Sequence, residues 1–262
     1  LPSHPELLDW LAVEFVESGW NIKALHKLIA LSATYRQSSR RLSDDNNVDA
    51  DNRLLSRGPR QRLTARQLRD QALFVSGLMT ADIGGPSVSP YQPVKLWDEM
   101  SNMKYKQSKG KDLYRRGLYT IWKRTVAPPS LAILDAADRE SCTVRPKLTN
   151  TPLQALTLLN ETTFVEAARH LAARMMTEGR EQPVVFAFRS VTSRRPSVTE
   201  LAALETARKS YVAEFKIDPA RAVELLKVGE SAVNNDLDQA ELAGNTILCN
   251  VLLNLDEALT KE

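Results

Sequence analysis

Residues 142–176 read CTVRPKLTNTPLQALTLLNETTFVEAARHLAARMM, and the helix starts in this stretch decide the fold. The hydroxyl of Thr151 can accept a hydrogen bond from an N–H of the first helical turn, and Gln154 can reach back to the cap. Pro152 supplies the preset φ of a first helical residue. We therefore predict a helix that begins at Thr151. One apolar face of this helix is expected to carry three leucines, Leu153, Leu156 and Leu159.

A second helix is predicted directly after the first. Apolar residues recur there at helical spacing, and the run stops at Gly179, a typical helix-ending residue. The apolar positions are Phe164, Ala167, Ala168, Leu171 and Met175. Two consecutive helices thus follow one irregular, polar segment, which leads from Cys142 to Thr151 and which we call the polar approach.

The polar approach to Thr151 is the candidate functional site. Polar groups crowded beside a buried helix start are costly unless they are paired, so we expect a fixed hydrogen-bonded network. This network either braces the helix entrance or forms a polar site for a ligand or partner. The candidate residues are Arg145, Thr149, Asn150, Thr151 and Gln154.

Capping boxes recur along the chain and predict further helix starts. The pattern of a Ser or Thr followed three residues later by Glu or Gln occurs at Ser3–Glu6, Thr64–Gln67 and Ser197–Glu200. Helices are expected over roughly residues 4–18 and 65–79. These signals predict a predominantly helical chain built from antiparallel helix pairs.

One segment is a strand candidate. Residues 118–122, Leu-Tyr-Thr-Ile-Trp, are β-branched and aromatic. The predicted fold class is therefore all-α, with at most a small β element near residues 115–125. With 262 residues, of which 43% are hydrophobic, the chain can form one helical domain over 1–262, with a sub-division into 1–140 and 141–262 as the alternative.

Six arginines lie within 17 residues, and no acidic residue lies among them. A nucleic-acid surface would normally interleave aromatic residues with such cations, and this segment does not. Two interpretations remain: the guanidinium groups pair with acidic or carbonyl groups inside the domain, or they dock the domain onto another one. The residues are Arg53, Arg57, Arg60, Arg62, Arg66 and Arg69.

Several segments together resemble a known family. The run from Arg145 to Asn160 resembles the C-terminal domain of unknown function in planctomycete-type cytochrome-c-domain proteins. Further resemblances follow in the family's order: PSHPELLDWLA at 2–12, LSATYRQSS at 31–39, RLTA at 62–65, GGPSV at 84–88 and LLNLDE at 252–257. The activity of that family is itself unassigned.

This resemblance implies a cellular location and accompanying domains, and it implies no particular activity. It implies an exported multidomain protein with an upstream cytochrome-c-like module, located in the periplasm or cell envelope. Haem c would belong to that module, and no cofactor is expected in this segment. The implied partners are the upstream domains of the same polypeptide, with other envelope proteins or glycans as alternatives. The chain begins at Leu1 without Met, so we expect it to be a segment of a longer polypeptide.

Composition and motifs disfavour several classes. The 35 basic and 32 acidic residues give a net charge of +3, too balanced to indicate nucleic acid. No apolar run approaches the roughly 20 residues of a membrane span. Cys142 and Cys249 form neither a haem-attachment nor a zinc pattern, so no metal site is predicted, and they are either free thiols or one disulfide. His4 and His26 are expected to be structural.

Three functions remain open. The preferred one is a non-catalytic interaction or assembly module, since no nucleophile or metalloprotease motif is present and no catalytic residue can be assigned. The second is an enzyme acting on glycans through carboxylates near Arg145. The third is a glycan-binding module with an exposed aromatic platform. The carboxylates are Asp135, Asp138 and Glu140, and the aromatic residues are Trp97, Tyr105 and Trp122. An open polar pocket would favour the enzyme, and a filled network would favour the interaction module.

Overall fold

The computed structural model describes residues 2–39, 49, 51–97, 104–123, 125–138, 142 and 148–261. These residues divide into two compact units. One unit comprises residues 1–61 with 260–262, and the other comprises residues 62–259. The boundaries between the units fall between Gln61 and Arg62 and between Leu259 and Thr260.

The first unit is built on a helical hairpin. Its helices are α1 (Pro5–Glu17) and α2 (Ile22–Leu31). The side chain of Asn21 accepts a hydrogen bond of 3.0 Å from the backbone N–H of Ala24 and so caps the start of α2. Two short strands, β1 (Gln61–Arg62) and β2 (Thr260–Lys261), form a two-stranded sheet.

The second unit contains the remaining helices. In the described part of the chain they are α3 (Ala65–Ser76), α4 (Pro129–Ile133), α5 (Pro152–Asn160), α6 (Thr162–Thr177), α7 (Pro183–Thr192), α8 (Val198–Ile217), α9 (Pro219–Leu226), α10 (Gln239–Leu253) and α11 (Asp256–Leu259). Two 3₁₀-helices cover Gly110–Tyr114 and Gly117–Tyr119. The predicted fold class, mostly helical with a small β element, is confirmed.

The core of the second unit lies around α6 and α10. These two helices pack against each other, and α10 also packs along α8. The predicted apolar positions Phe164, Leu171 and Met175 of α6 are all buried. Burial of such side chains contributes about 1.5–3 kcal/mol each relative to leaving them exposed, so this helix pair supplies much of the unit's stability.

The predicted helix starts are confirmed at three of the capping boxes. The side chains of Thr64, Thr151 and Ser197 each accept from the backbone N–H three residues later, and the reciprocal bond is present in each case. Helix α3 is shorter than predicted because Gly77, with φ of 79°, adopts the left-handed conformation that ends it at Ser76.

The prediction of a capping box at Ser3–Glu6 is wrong. Helix α1 begins at Pro5 with His4 as its N-cap, and no side-chain cap bond forms. Ser3 instead lies one residue before the cap, and its Oγ is 3.0 Å from Nδ1 of His4. Pro5 at the first helical position, where no N–H is needed, fixes the start of the helix instead.

The strand predicted over residues 118–122 does not form. Gly117–Tyr119 is a 3₁₀ turn, and the nearby β contacts are isolated bridges, such as the one between Val88 and Thr120. The backbone N–H of Gly117 donates to Oδ1 of Asp70 at 2.6 Å, and the Tyr119 hydroxyl accepts from Gly84 N–H at 2.8 Å. These contacts, together with backbone hydrogen bonds between Val88 and residues 119 and 121, hold the segment without a strand ladder.

The predicted apolar face of α5 points outward. Leu153, Leu156 and Leu159 are exposed, whereas Gln154 and Leu158 are the buried residues of this helix. The prediction of the helix itself is confirmed, but the buried side was wrong. The polar side chain of Gln154 faces inward because it is hydrogen-bonded there.

Candidate functional site

Gln154 lies at the centre of the predicted polar network. Its side chain is 2% exposed. Its Nε2 donates to the carbonyl of Ile133 at 2.9 Å, to Oδ2 of Asp135 at 2.9 Å and to Oγ1 of Thr149 at 3.0 Å. Its Oε1 accepts from the backbone N–H of Thr151 at 3.2 Å. The amide thus joins α5 to the segment that follows α4.

Two residues outside the predicted set complete this arrangement, which we call the Gln154 network: Arg62, Asp135, Thr149, Thr151 and Gln154. Nη1 of Arg62 donates to Oε1 of Gln154 at 2.5 Å and to the carbonyl of Thr149, and lies 3.7 Å from the Asp135 carboxylate. The Asp135 carboxylate also accepts from Thr149 N–H at 2.6 Å.

Two residues of the predicted set remain, Asn150 and Arg145. Asn150 is exposed. Arg145, together with Glu140 of the proposed carboxylate group, lies outside the described residues. The structure therefore brings together Thr149, Thr151 and Gln154 from the predicted set.

The Gln154 network is filled by its own donors and acceptors. The Gln154 amide and the Asp135 carboxylate bond to neighbouring protein groups. Burial would raise the pKa of Asp135, but the hydrogen bonds from Thr149 and Gln154 and the charge of Arg62 together lower it. An ionised, multiply hydrogen-bonded carboxylate acts as an anchor and is a poor general acid.

We expect Thr151→Ala to lower the free energy of unfolding by about 1 kcal/mol, the usual cost of a lost N-cap. The Thr151 hydroxyl accepts from Gln154 N–H at 3.4 Å, so the variant leaves that donor without its cap. Urea denaturation of both forms measures the change. Thr151→Ser, which keeps the hydroxyl, is the matched control, and an unchanged midpoint for the Ala variant would contradict the prediction.

We expect Asp135→Asn to reduce stability at neutral pH and to reduce its loss on acidification. The native pKa of Asp135 is lowered, so its contribution is present above the ordinary carboxyl pKa and disappears as the pH falls through the native value. Asn is the suitable replacement because residue 135 has φ of 65°, which Asn tolerates. Urea midpoints measured from pH 7 to about pH 3 should converge for the two forms. Parallel curves would count against the prediction.

A second buried network surrounds Glu166 on α6. The Glu166 carboxylate, 1% exposed, accepts from the hydroxyls of Tyr91 and Tyr114, each at 2.9 Å. It also accepts from the N–H of Ser231 at 2.8 Å and from its hydroxyl at 2.6 Å. Nη2 of Arg169 lies 3.7 Å away. With His170, these residues are the Glu166 cluster.

The Glu166 cluster contains a serine–histidine contact. Nε2 of His170 is 2.7 Å from Oγ of Ser231, a geometry that can activate a serine nucleophile. Here, however, Ser231 Oγ also donates its single proton toward Glu166 and accepts from Nη2 of Arg169 at 2.8 Å. Burial, together with the charge of Arg169, lowers the pKa of His170. The Ser231 hydroxyl is therefore held by hydrogen bonds to residues of α6, and it fixes its loop to that helix.

Sequence reasoning missed the Glu166 cluster. One signal was present: Glu166, Arg169 and His170 recur at helical spacing on an otherwise apolar helix. Such a polar stripe on a buried helix indicates a hydrogen-bonded network. Its partners Tyr91 and Ser231 lie more than 60 residues away on either side, and no local pattern connects them to α6.

The six arginines are divided between the two units. Arg53, Arg57 and Arg60 belong to the first unit, and the other three belong to the second. Arg69 is buried and donates to the carbonyls of Leu113 and Arg115, at 2.8 and 2.9 Å. Arg62 belongs to the Gln154 network, and Arg66 lies over the ring of Trp122 at 6.0 Å. Arg62 and Arg69 thus make the internal contacts of the first interpretation.

The aromatic residues considered for glycan binding occupy different environments. Trp97 is buried and packs edge-on against Tyr105, with ring centroids 5.1 Å apart. It is therefore not the exposed platform considered from the sequence. Burial raises the pKa of Tyr105 to about 12, in keeping with its enclosed hydroxyl. Trp122 is partly buried, and its Nε1 donates to the carbonyl of Asp138 at 3.0 Å.

A different candidate site lies in the first unit, and sequence reasoning did not identify it. A groove of about 790 Å³ opens between α1, α2 and residues 55–59. Its apolar lining includes Leu7, Trp10, Leu11, Leu28, Leu31 and Tyr35. Its charged lining residues, Lys27 and Arg57, are both basic. We call this feature the apolar groove.

Helices α1 and α2 carry large apolar side chains but contain no buried residue. In the apolar groove Trp10 is 48% exposed and Leu31 is 61% exposed. Outside the groove, Leu8, Val16 and Trp20 are exposed as well. Contiguous apolar surface of this kind marks interaction sites in soluble proteins, so the hairpin is a candidate interface.

The described residues provide no other obvious site. Within the described ranges, no three His, Cys, Asp or Glu side chains are grouped as metal ligands would be. Cys142 and Cys249 are free thiols, the first exposed and the second buried. Burial raises the pKa of the Cys249 thiol. Among the helices that the structure describes, none has both the length and the apolar character that crossing a membrane requires.

Comparison with known proteins yields one match. Residues 1–207 of the 262 match the family described as "Protein of unknown function (DUF1553)". Neither the curated proteins nor the solved structures contain a match. The family match covers all of the first unit except residues 260–262, and it also covers both polar networks except for Ser231.

Proposed function

The chain belongs to this family of proteins of unknown function, DUF1553, and from that premise we propose that it is a non-catalytic interaction module. The module would be part of an exported multidomain protein of the periplasm or cell envelope, as the sequence resemblance implies. Its partner would be the upstream portion of the same polypeptide, and any haem c would be held there. A purified segment without a Soret band would agree with that last point.

The main observation behind this proposal is the exposed apolar surface of α1 and α2. Two helices with no buried residue gain little from folding alone, since packing of an apolar face supplies most helical stability in proteins. A partner that covers the apolar groove would supply that burial. The surface is therefore best explained as one half of an interface.

The Gln154 network supports the non-catalytic part of the proposal. An enzyme at this position would require an open polar pocket, whereas Gln154 is buried and bonded at both its amide nitrogen and its oxygen. The glycan-binding alternative requires an exposed aromatic platform, and Trp97 does not provide one because it is buried. Binding through the first unit thus has more structural support than chemistry at the second.

The test is to replace Leu28 by Glu and to measure association with the separately expressed upstream portion by isothermal titration calorimetry. Leu28 is exposed at 41% and lines the apolar groove, so a carboxylate there should weaken binding about tenfold or more while leaving the fold intact. Ile83→Glu, at a position 93% exposed in the other unit, is the matched control. Equal affinities for wild type and Leu28→Glu would refute the proposal.

A further inference from the structure

The apolar groove has a chemistry that defines its occupant more closely. Resting on the proposed function, we infer that it binds an amphipathic α-helix whose apolar face is flanked by acidic residues. Two features of the lining support this inference. Helices α1 and α2 contribute its apolar side chains, and two basic residues, Lys27 and Arg57, lie beside them.

Helical spacing on both walls favours a helix as the occupant. On α1 the lining residues Leu7, Trp10 and Leu11 are at positions i, i+3 and i+4. On α2 the lining residues Ala24, Lys27, Leu28 and Leu31 continue the same spacing to i+7. Side chains in such rows form ridges between which the ridges of a third helix can pack. The peptide-recognition mode that uses these rows is an amphipathic helix laid in a groove.

Strand addition and small-molecule binding fit less well. The walls on α1 and α2 have backbone groups that are bonded internally, so these helices offer no unpaired strand edge. A volume of about 790 Å³ falls within the range of small-molecule pockets. However, Leu8, Val16 and Trp20 are also exposed on the hairpin without lining the apolar groove, and a small ligand in the groove would leave them uncovered.

The charges favour an acidic partner. Lys27 lies on α2 in the lining itself, one helical turn from Ala24 and Leu31. Arg57 lines the apolar groove from residues 55–59, and its Nη1 donates to the carbonyl of Asp49 at 3.0 Å. Cations at the border of an apolar site steer acidic partners toward it and disfavour basic ones.

A second copy of the chain is a less suitable occupant. Helix α1 does carry four acidic residues, Glu6, Asp9, Glu14 and Glu17. One side of α1, however, already forms a wall of the apolar groove in its own chain. Insertion of α1 into a neighbour's groove would be a head-to-tail contact, which forms open chains unless the rotation closes.

The experiment uses three labelled peptides of about 18 residues, long enough to sustain helix on binding. The first has Leu at helical spacing flanked by Glu, the second has Lys in place of every Glu, and the third has the composition of the first in scrambled order. Binding to the whole chain is followed by fluorescence anisotropy at low and high salt. We expect the acidic helix to bind most tightly, with its advantage over the basic helix decreasing as salt screens the charges.

Variants of α2 make the test specific. Lys27→Glu takes the charge of the lining from +2 to zero, because Arg57 remains, so the preference for the Glu peptide over the Lys peptide should be lost. Leu28→Glu should weaken binding of the acidic peptide about tenfold or more. Lys23→Glu is the matched control, since Lys23 is exposed on the same helix but does not line the apolar groove, and it should retain the wild-type preference.

Four outcomes would overturn the inference. One is equal binding of the acidic and basic helices by the wild type, and another is an unchanged preference in Lys27→Glu. A third is a concentration-dependent dimer that Leu28→Glu abolishes without any peptide preference, which would assign the apolar groove to a second copy. If no peptide binds but Leu28→Glu still disrupts association with the upstream portion, the proposed function stands and this inference fails. If that association is unaffected, the proposed function fails instead.

Discussion

Replacing Glu166 by Ala is expected to lower the free energy of unfolding by about 3–5 kcal/mol, the usual cost of breaking a buried ion pair by removing one partner. The variant leaves the hydroxyls of Tyr91, Tyr114 and Ser231 without their shared acceptor. It also leaves the Arg169 guanidinium, 3% exposed, without its nearby carboxylate. Both penalties arise because these groups have little access to water.

Two further variants show whether the loss comes from the Glu166 cluster. Glu166→Gln keeps the shape and one acceptor oxygen, so its loss of stability should be smaller than that of the Ala variant. Glu224→Ala removes an exposed carboxylate from α9 and should change stability by less than about 0.5 kcal/mol. Chemical denaturation monitored by circular dichroism provides all three values. A Glu166→Ala variant as stable as Glu224→Ala would show that the cluster contributes nothing.

Gly244→Ala is expected to destabilise the protein by about 2 kcal/mol, although the same change in an open helix would be favourable by about 1 kcal/mol. A Cβ at residue 244 of α10 would lie 2.6 Å from Cγ2 of Val212 and 2.7 Å from its backbone nitrogen. Two helix backbones approach closely there, so relief requires α8 and α10 to separate. The close contact therefore outweighs the gain in helix propensity.

A double-mutant cycle with Val212→Ala tests this explanation. The second substitution removes Cγ2 but leaves the backbone nitrogen and Cα, which a Cβ at 244 would meet at 2.7 and 2.8 Å. The double variant should therefore recover part of the lost stability and no more. An increase in the thermal midpoint of Gly244→Ala alone would mean that propensity dominates and that the helices separate at little cost.

Features set by neighbouring residues were predictable from the sequence. The caps at Thr64, Thr151 and Ser197 form because each hydroxyl and its partner lie three residues apart, so the chain needs no distant information to place them. The predicted network comprised Arg145, Thr149, Asn150, Thr151 and Gln154, and of these the structure joins Thr149, Thr151 and Gln154 by hydrogen bonds.

Features that depend on distant segments were not predictable in this way. Arg62 and Asp135 reach Gln154 from 92 and 19 residues away, so their places in the Gln154 network became visible only in the fold. Residues 118–122 have the composition of a strand, but contacts with Asp70 and Gly84 determine a turn there. The apolar groove is not apparent from the sequence because periodicity alone does not show whether an apolar face is covered.

The exposed apolar surface of the α1–α2 hairpin also has a calorimetric consequence. The heat capacity change of unfolding follows the apolar area that unfolding exposes, and α1 and α2 already expose theirs in the native state. The first unit should therefore melt with little heat absorption, whereas the second unit dominates the transition. A single enthalpy fitted to the whole trace would then describe residues 62–259 and leave the melting of the hairpin almost unrecorded.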